Sequence, residues 1–560
     1  MRFRMILRQL FRALLAVLIT AFLFLFLLLP VYTVVAEGLN PSLIKEVFSN
    51  FIYLEGLVNS FRIAAVTTFM VFLIALPMAF LYDAYEFPGK SLAHLAAMVP
   101  MILPPFVGAL GFQQILGHYG VINTLLVSCG FARIDFLGGN GRFWSICFIE
   151  ALHLYPILYL NLVSSLGNID PSLREAARNL GAGVWRRFFR ITLPLLKPGI
   201  LAGGSIVLIW SFTELGTPLM FGYNRVTPVQ ILNGLTELET NPEPYALVTV
   251  MLILSSIMYL LAKWLLKSSA GTVVKGTLGS SAARLPGLRG LLPTGFFILV
   301  TALAVLPHAA LILTAFSLNW YGTILPEHWS LLNFENALTN KLVVPSILNS
   351  LRYSSLAMIA ALAVGFAIAL IVQRWKLPFA WLLDALGMLP LAVPGIVVAF
   401  GYLGMTVNYD WAAEIFNPQD NPMWLLAIAY AVRRLPYVLR SASAGLEQTP
   451  AEFEEAARTF GAGPLRTLRR ITIPLIAANL VVGALFAFSF SMLEVSDSLI
   501  LAQKAEYFPI TRAIYDLSQI LGSGPFTACA FGVWTMVFLA ATLAAAGAIL
   551  GKKIGSVFRI

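Results

Sequence analysis

Apolar residues in this 560-residue chain gather into long uninterrupted runs, with short polar stretches between them. A helix needs ~20 mostly apolar residues to cross the hydrocarbon core of a bilayer. Runs of that length predict twelve spans, near residues 10–36, 58–82, 92–116, 143–166, 198–222, 246–266, 290–318, 348–373, 380–407, 422–442, 475–502 and 527–550. No pattern of strands competes with them, so the expected fold class is an all-α integral membrane protein with about twelve transmembrane helices.

Composition agrees with that pattern. Hydrophobic residues make up 59% of the chain and charged residues only 11%, with a mean hydropathy of +0.83, which excludes a soluble domain of this size. Arg2, Arg4, Arg8 and Arg12 precede an apolar run longer than the core of a secretory signal, so the first run is expected to stay as an anchoring span. With the N-terminus inside, 28 of the 37 Lys and Arg fall on the cytoplasmic side and 7 outside, while Arg62 and Arg352 lie at span starts. That asymmetry puts both termini in the cytoplasm. It also accounts for the net charge of +10, which needs lipid headgroups as a partner and no nucleic acid. Cys129, Cys147 and Cys529 have no paired spacing, so neither a disulfide framework nor a thiolate metal site is expected.

The chain repeats itself. Residues 175–194 (EAARNLGAGVWRRFFRITLP) and 455–474 (EAARTFGAGPLRTLRRITIP) agree at twelve of twenty positions. Asn59-Ser60-Phe61-Arg62 matches Asn349-Ser350-Leu351-Arg352, and Pro104 matches Pro394, both 290 residues apart. Pro156/Pro436, Glu175/Glu455 and Glu214/Glu494 are 280 apart, which places ten extra residues of the first half between Pro104 and Pro156. Two six-span halves in one orientation follow, 1–266 and 290–560, related by an axis along the membrane normal. The Gly/Ser-rich basic stretch 267–289 reads as a cytoplasmic linker.

The strongest repeat lies in two basic cytoplasmic loops, 170–197 and 449–474. Asp170-Pro171 and Thr449-Pro450 predict helix starts, with Thr449 and Glu452 forming a capping box. Gly181 and Gly461 then predict a reversal at positive φ, followed by a second short helix ending at Pro194 or Pro474. Each loop is a helix–turn–helix bracket with small residues exposed to a partner.

The spacing of these brackets, E-A-A, three residues, G, nine residues, I-x-L-P, resembles the EAA loop of binding-protein-dependent ABC importer permeases. The second copy departs only at Ile473. The resemblance covers residues ~50 to ~550, and in the fused halves the chain is most similar to ferric-iron permeases. It implies the ABC importer permease fold and assigns ATPase coupling to Glu175, Ala176, Ala177 and Gly181, with Glu455, Ala456, Ala457 and Gly461. It also implies two copies of a separate ABC ATPase subunit, a periplasmic or lipid-anchored substrate-binding protein, and a bacterial inner-membrane location. The chain has no G-x-x-x-x-G-K-[ST] loop, so it is no enzyme by itself; ATP and magnesium belong to the partner subunits, and this chain is expected to bind no cofactor or metal.

Ionisable residues inside spans are pathway candidates. Glu214 and Glu494 take equivalent places in the fifth and eleventh spans, and Asp497 lies one turn beyond. Glu150 in the fourth span and Arg433 in the tenth complete the set, Arg433 being free to pair with either Glu150 or Glu494. Carboxylates suit a hard cation such as Fe³⁺, whereas Arg433 and Arg434 suit an anion such as 2-aminoethylphosphonate; thiamine and polyamines are further alternatives. A secondary transporter also has two six-span halves, but it has no use for a duplicated bracket.

Overall fold

The computed structural model describes residues 2–102, 105–237, 241–269, 283–285 and 287–550. Among them, nine helices are long and apolar enough to cross a membrane, or eleven if each of two bent pairs is one span. In the first half these are Gln9–Gly38, Phe51–Ala84, the pair Lys90–Met101 and Pro105–Ser128, Gly139–Gly167, Lys197–Met220 and Glu243–Leu266. In the second they are Leu288–Ala315, Val343–Trp375, the pair Ala380–Leu391 and Gly395–Asn408, Pro464–Met492 and Gly524–Thr542. The tenth expected span is the helix Met423–Gln448, which carries Arg433, Arg434 and Arg440 and so falls short in composition. It is packed between the eighth and eleventh spans, which partly bury Arg433 and Arg434 and leave Arg440 exposed towards the end of the helix.

The first span of each half lies against the other half. Gln9–Gly38 packs on the ninth span and Leu288–Ala315 on the third. Matched glycines make both contacts possible. A Cβ at Gly401 would overlap the carbonyl of Pro30, and one at Gly111, 290 positions earlier, would overlap the carbonyl of Pro307. Small residues are the usual means of bringing helix backbones this close in a membrane. Pro30 cannot donate a hydrogen bond to the carbonyl four residues before it, Phe26, and that carbonyl accepts the Tyr402 hydroxyl from the other half. Thr249 donates to the Val34 carbonyl (3.0 Å) and Asn408 to the Tyr245 hydroxyl (3.2 Å), so the first span is seated between the sixth and ninth.

The repeated Asn-Ser pairs form clamps. Asn59 Nδ2 donates to the Arg225 carbonyl (3.0 Å), and Ser60 Oγ accepts the Thr227 N–H (2.9 Å). In the second half Asn349 donates to the Glu506 carbonyl (2.8 Å), and Ser350 accepts the Ile510 N–H (2.7 Å). Each clamp ties the start of the second span of its half to the loop that follows the fifth, at the first turn of a short helix (Thr227–Asn233 or Ile510–Ser518). Buried backbone groups in a membrane protein need such partners.

Pro104, most of the expected linker 267–289 and the C-terminal 551–560 lie outside the described residues. The described end of the linker, Ala283–Arg284, pairs in parallel with Tyr85–Glu86 at the end of the second span. At its counterpart, Pro394 caps the helix Gly395–Asn408 and the chain bends there by 102°.

The glycine contacts set an expectation for stability. Gly111→Val and Gly401→Val should each destabilise the protein by about 1–3 kcal/mol, since the atoms they meet are backbone. Gly183→Ala, with nothing within 4 Å of the added methyl, should leave the thermal midpoint in detergent unchanged. Midpoints for the two valine variants equal to the parent would show that the first spans do not pack at this distance.

Candidate functional site

The two brackets share the same turn. In the first, Asp170 accepts the Ser172 N–H (2.9 Å), capping the helix Pro171–Asn179 as the Asp-Pro pair predicts. Gly181 then turns the chain at φ +81°. The Ala182 N–H donates to the Ala177 carbonyl (2.9 Å) and the Gly181 N–H to the Arg178 carbonyl (2.9 Å), a Schellman turn. In the second copy, Gly461 also has φ +81°, and Ala462 donates to Ala457 (3.0 Å) and Gly461 to Arg458 (2.9 Å). Each continues through Gly183 or Gly463 into a short helix, then a π-helical turn at Phe188–Thr192 or Leu468–Thr472. The duplication thus extends to the irregular backbone. Gly183 and Gly463 have ordinary φ and open space around them, so the fold of the loop itself does not require glycine there.

Glu175, Ala176, Glu455 and Ala456 are exposed, and Ala177 and Ala457 are half-buried in their turns. Four further residues stand out that the repeat alone does not single out. Leu180 is 88% exposed and its counterpart Phe460 91%; Trp185 is 74% exposed and its counterpart Leu465 77%. Large apolar side chains held in solvent at matched positions mark a surface built to be covered. The signal was present in the sequence as the apolar residue directly before each Gly-Ala-Gly.

The start of the second bracket departs from expectation. Thr449 forms no capping box: its hydroxyl donates back to the Gly445 carbonyl (2.9 Å), and the helix begins at Glu452 after Ala451. Arg374, at the end of the eighth span, takes over the organising role. Its guanidinium donates to the Leu446 (2.9 Å) and Thr449 (2.7 Å) carbonyls and to buried Glu454 (2.9 Å). Thr472 Oγ1 donates to the same carboxylate (3.1 Å) and Arg458 approaches it at 3.6 Å. The bracket is thereby fastened to its own half.

The pathway candidates meet at two matched helix breaks. Span five breaks at Thr213–Leu215 before the short helix Gly216–Met220, and span eleven at Leu493–Val495 before Ser496–Leu501. The breaks face each other: a Cβ on Gly216 would lie 3.4 Å from Val495 Cγ1. The equivalent glutamates have different partners. Glu214 Oε1 accepts the N–H groups of Gly216 (3.1 Å) and Thr217 (3.3 Å), supplying the acceptors its short helix needs. Glu494 Oε2 instead takes Arg433 Nε (3.1 Å) and Arg434 Nη2. Of the two partners open to Arg433 the structure thus selects Glu494, while Glu150 accepts from Ser211 and Thr67. Asp497 is buried one turn past Glu494. His153 is a satisfied core histidine, its Nδ1 2.8 Å from the Pro100 carbonyl oxygen.

Comparison with known proteins matches the chain twice to the family described as binding-protein-dependent transport system inner membrane component, over residues 84–270 and 361–548. The ferric transport system permease protein of Actinobacillus pleuropneumoniae is 27% identical over 477 residues, 82% of this chain and 65% of that protein. The chain therefore spans about two thirds of that relative's length. An Fe(3+)-transport system permease protein of Haemophilus influenzae is 24% identical over 431 residues, 76% of each chain. A molybdenum transport system permease protein of Escherichia coli is 32% identical over 222 residues, 38% of this chain and 94% of its own, so a protein less than half the size aligns along nearly its full length.

Arg374→Ala would remove the main counter-charge of buried Glu454, a change that costs about 3–5 kcal/mol where no partner remains and less here, because Arg458 stays in reach. Limited proteolysis should then cut loop 449–474 at least about tenfold faster, with loop 170–197 unaffected. Equal cutting of both loops, in variant and parent alike, would refute the anchoring role.

Proposed function

The chain belongs to the family of binding-protein-dependent transport system inner membrane components, and from that membership we propose that it is the permease of an ATP-driven importer whose substrate is ferric iron. One observation carries the transport reading: two brackets with the same turn geometry, each presenting exposed apolar and small side chains. Each bracket receives one copy of a separate ATPase subunit, with Glu175, Ala176, Ala177, Gly181 and Leu180 in one contact and Glu455, Ala456, Ala457, Gly461 and Phe460 in the other. ATP and magnesium bind those subunits. Closing them draws the brackets together and tilts the halves 1–266 and 290–560 about their shared interface, with 267–289 as the tether. A binding protein on the far face delivers substrate, and both termini are cytoplasmic.

Iron is supported by the names of two relatives and by the carboxylates Glu214, Glu494 and Asp497 at the facing breaks, with Glu150 buried behind Glu214, since hard cations take oxygen ligands. A second reading, an oxyanion, is favoured by Arg433 and Arg434 and by the molybdenum permease among the relatives.

Vesicles holding this chain with its ATPase and binding protein should take up labelled Fe³⁺ on addition of ATP. Molybdate or 2-aminoethylphosphonate taken up in place of iron would move the substrate to the second reading. Leu180→Asp and Phe460→Asp, both at nearly fully exposed positions, should leave the fold intact yet lower ATPase co-purification about tenfold or more, as loss of a buried apolar anchor does. Undiminished co-purification in the double variant would remove the brackets from the contact.

A further inference from the structure

The facing helix breaks gather three carboxylates, Glu214, Glu494 and Asp497, around two guanidiniums, Arg433 and Arg434. The charges are distributed unequally. Both guanidiniums converge on one oxygen of Glu494, whereas 280 residues earlier the places of the two arginines are held by His153 and Leu154. The ion-paired cluster thus belongs to the second half alone.

Several valences in it are spare. Asp497, only 1% exposed, keeps Oδ1 without a hydrogen-bond partner among the described residues while facing Glu494, Arg433 and Arg434. Arg433 Nη1 and Arg434 Nε are likewise buried and unpartnered. Native interiors leave few such groups, because each costs free energy with no return in stability. Arg433 lies over Gly395, where a Cβ would overlap Nη1, and it acts electrostatically on Glu214 across the interface. The guanidinium thus has one carboxylate in hand and a second within its field.

We propose that Arg433 is a tethered cation that occupies Glu494 in the resting permease, and that the transported cation displaces it and is held in passing by Glu494 and Asp497. This rests on the reading of the chain as an importer of a hard cation. The incoming cation takes over the carboxylate as the guanidinium leaves it, so Glu494 is never left unpaired at low dielectric, and the added positive charge falls among Glu214, Glu494 and Asp497. Displaced Arg433 passes into the field of Glu214, which lies on the opposite half. The same ion pair therefore closes the route when substrate is absent and couples its opening to the relative position of the halves.

The test uses the full transporter, this chain with its ATPase and binding protein in proteoliposomes, carrying Arg433→Gln, Glu494→Gln or both. Arg433→Gln leaves Arg434 on Glu494. It should raise ATP hydrolysis measured without binding protein about threefold or more, as expected when a closed state loses a stabilising contact, while Fe³⁺ uptake persists. Glu494→Gln should lower Fe³⁺ uptake about tenfold or more, since the carboxylate that receives the cation is gone. The double variant removes one charge of each sign and leaves Arg434 beside Asp497, and it should show the raised hydrolysis even if a single variant assembles poorly. Parental hydrolysis in both Arg433→Gln and the double variant would overturn the proposal. So would Fe³⁺ uptake that survives Glu494→Gln, or uptake lost in Arg433→Gln and kept in Glu494→Gln, which assigns the arginines to an anion. A parent that takes up no Fe³⁺ would sink the ferric reading separately, because the hydrolysis comparison needs no substrate.

Discussion

The structure depends on one exchange: each half lends its first span to the other. Close backbone contact between Pro30 and Gly401, and between Pro307 and Gly111, makes that exchange possible. The Tyr402 hydroxyl on the Phe26 carbonyl compensates the hydrogen bond that Pro30 cannot make. In a bilayer there is little hydrophobic force to hold helices together, so close packing and satisfied backbone groups carry the association. With the halves interlocked in this way, they meet again at the facing breaks around Glu214 and Glu494.

At those breaks, duplicated sequence has been put to unequal uses. The two short helices, the Asn-Ser clamps and the bends keep the repeat. The glutamates do not: one serves backbone N–H groups and the other holds two arginines. The brackets on the opposite face show the reverse, equal turns and equal exposure at Gly181 and Gly461, differing mainly in what fastens them. A repeat that stays symmetric where identical ATPase subunits would dock, and becomes asymmetric where one substrate would pass, matches the division of labour proposed for the chain.

Much of this was legible beforehand for identifiable reasons. Apolar runs report spans because lipid tolerates nothing else, and eleven of the twelve expected positions carry an apolar helix or bent pair. The tenth is an amphipathic exception, in which neighbouring helices screen Arg433 and Arg434. Gly181 and Gly461 were readable because only glycine adopts that turn without strain. The partner of Arg433 was not readable, since Glu150 and Glu494 are equally plausible in one dimension. Nor was the anchoring of Glu454 by Arg374, which joins residues 80 positions apart. Thr449 makes no capping box because its hydroxyl is held by the Gly445 carbonyl and the helix begins only at Glu452.

The membrane class, the two repeats and the duplicated loops could be read along the chain, because each is a local pattern: run length, repeat and turn chemistry. Only the tertiary structure decided which half each first span covers, which carboxylate each arginine holds and which loop residues stand exposed. Those outcomes are set by close approach between distant segments, and a linear pattern of polar and apolar residues does not encode who meets whom.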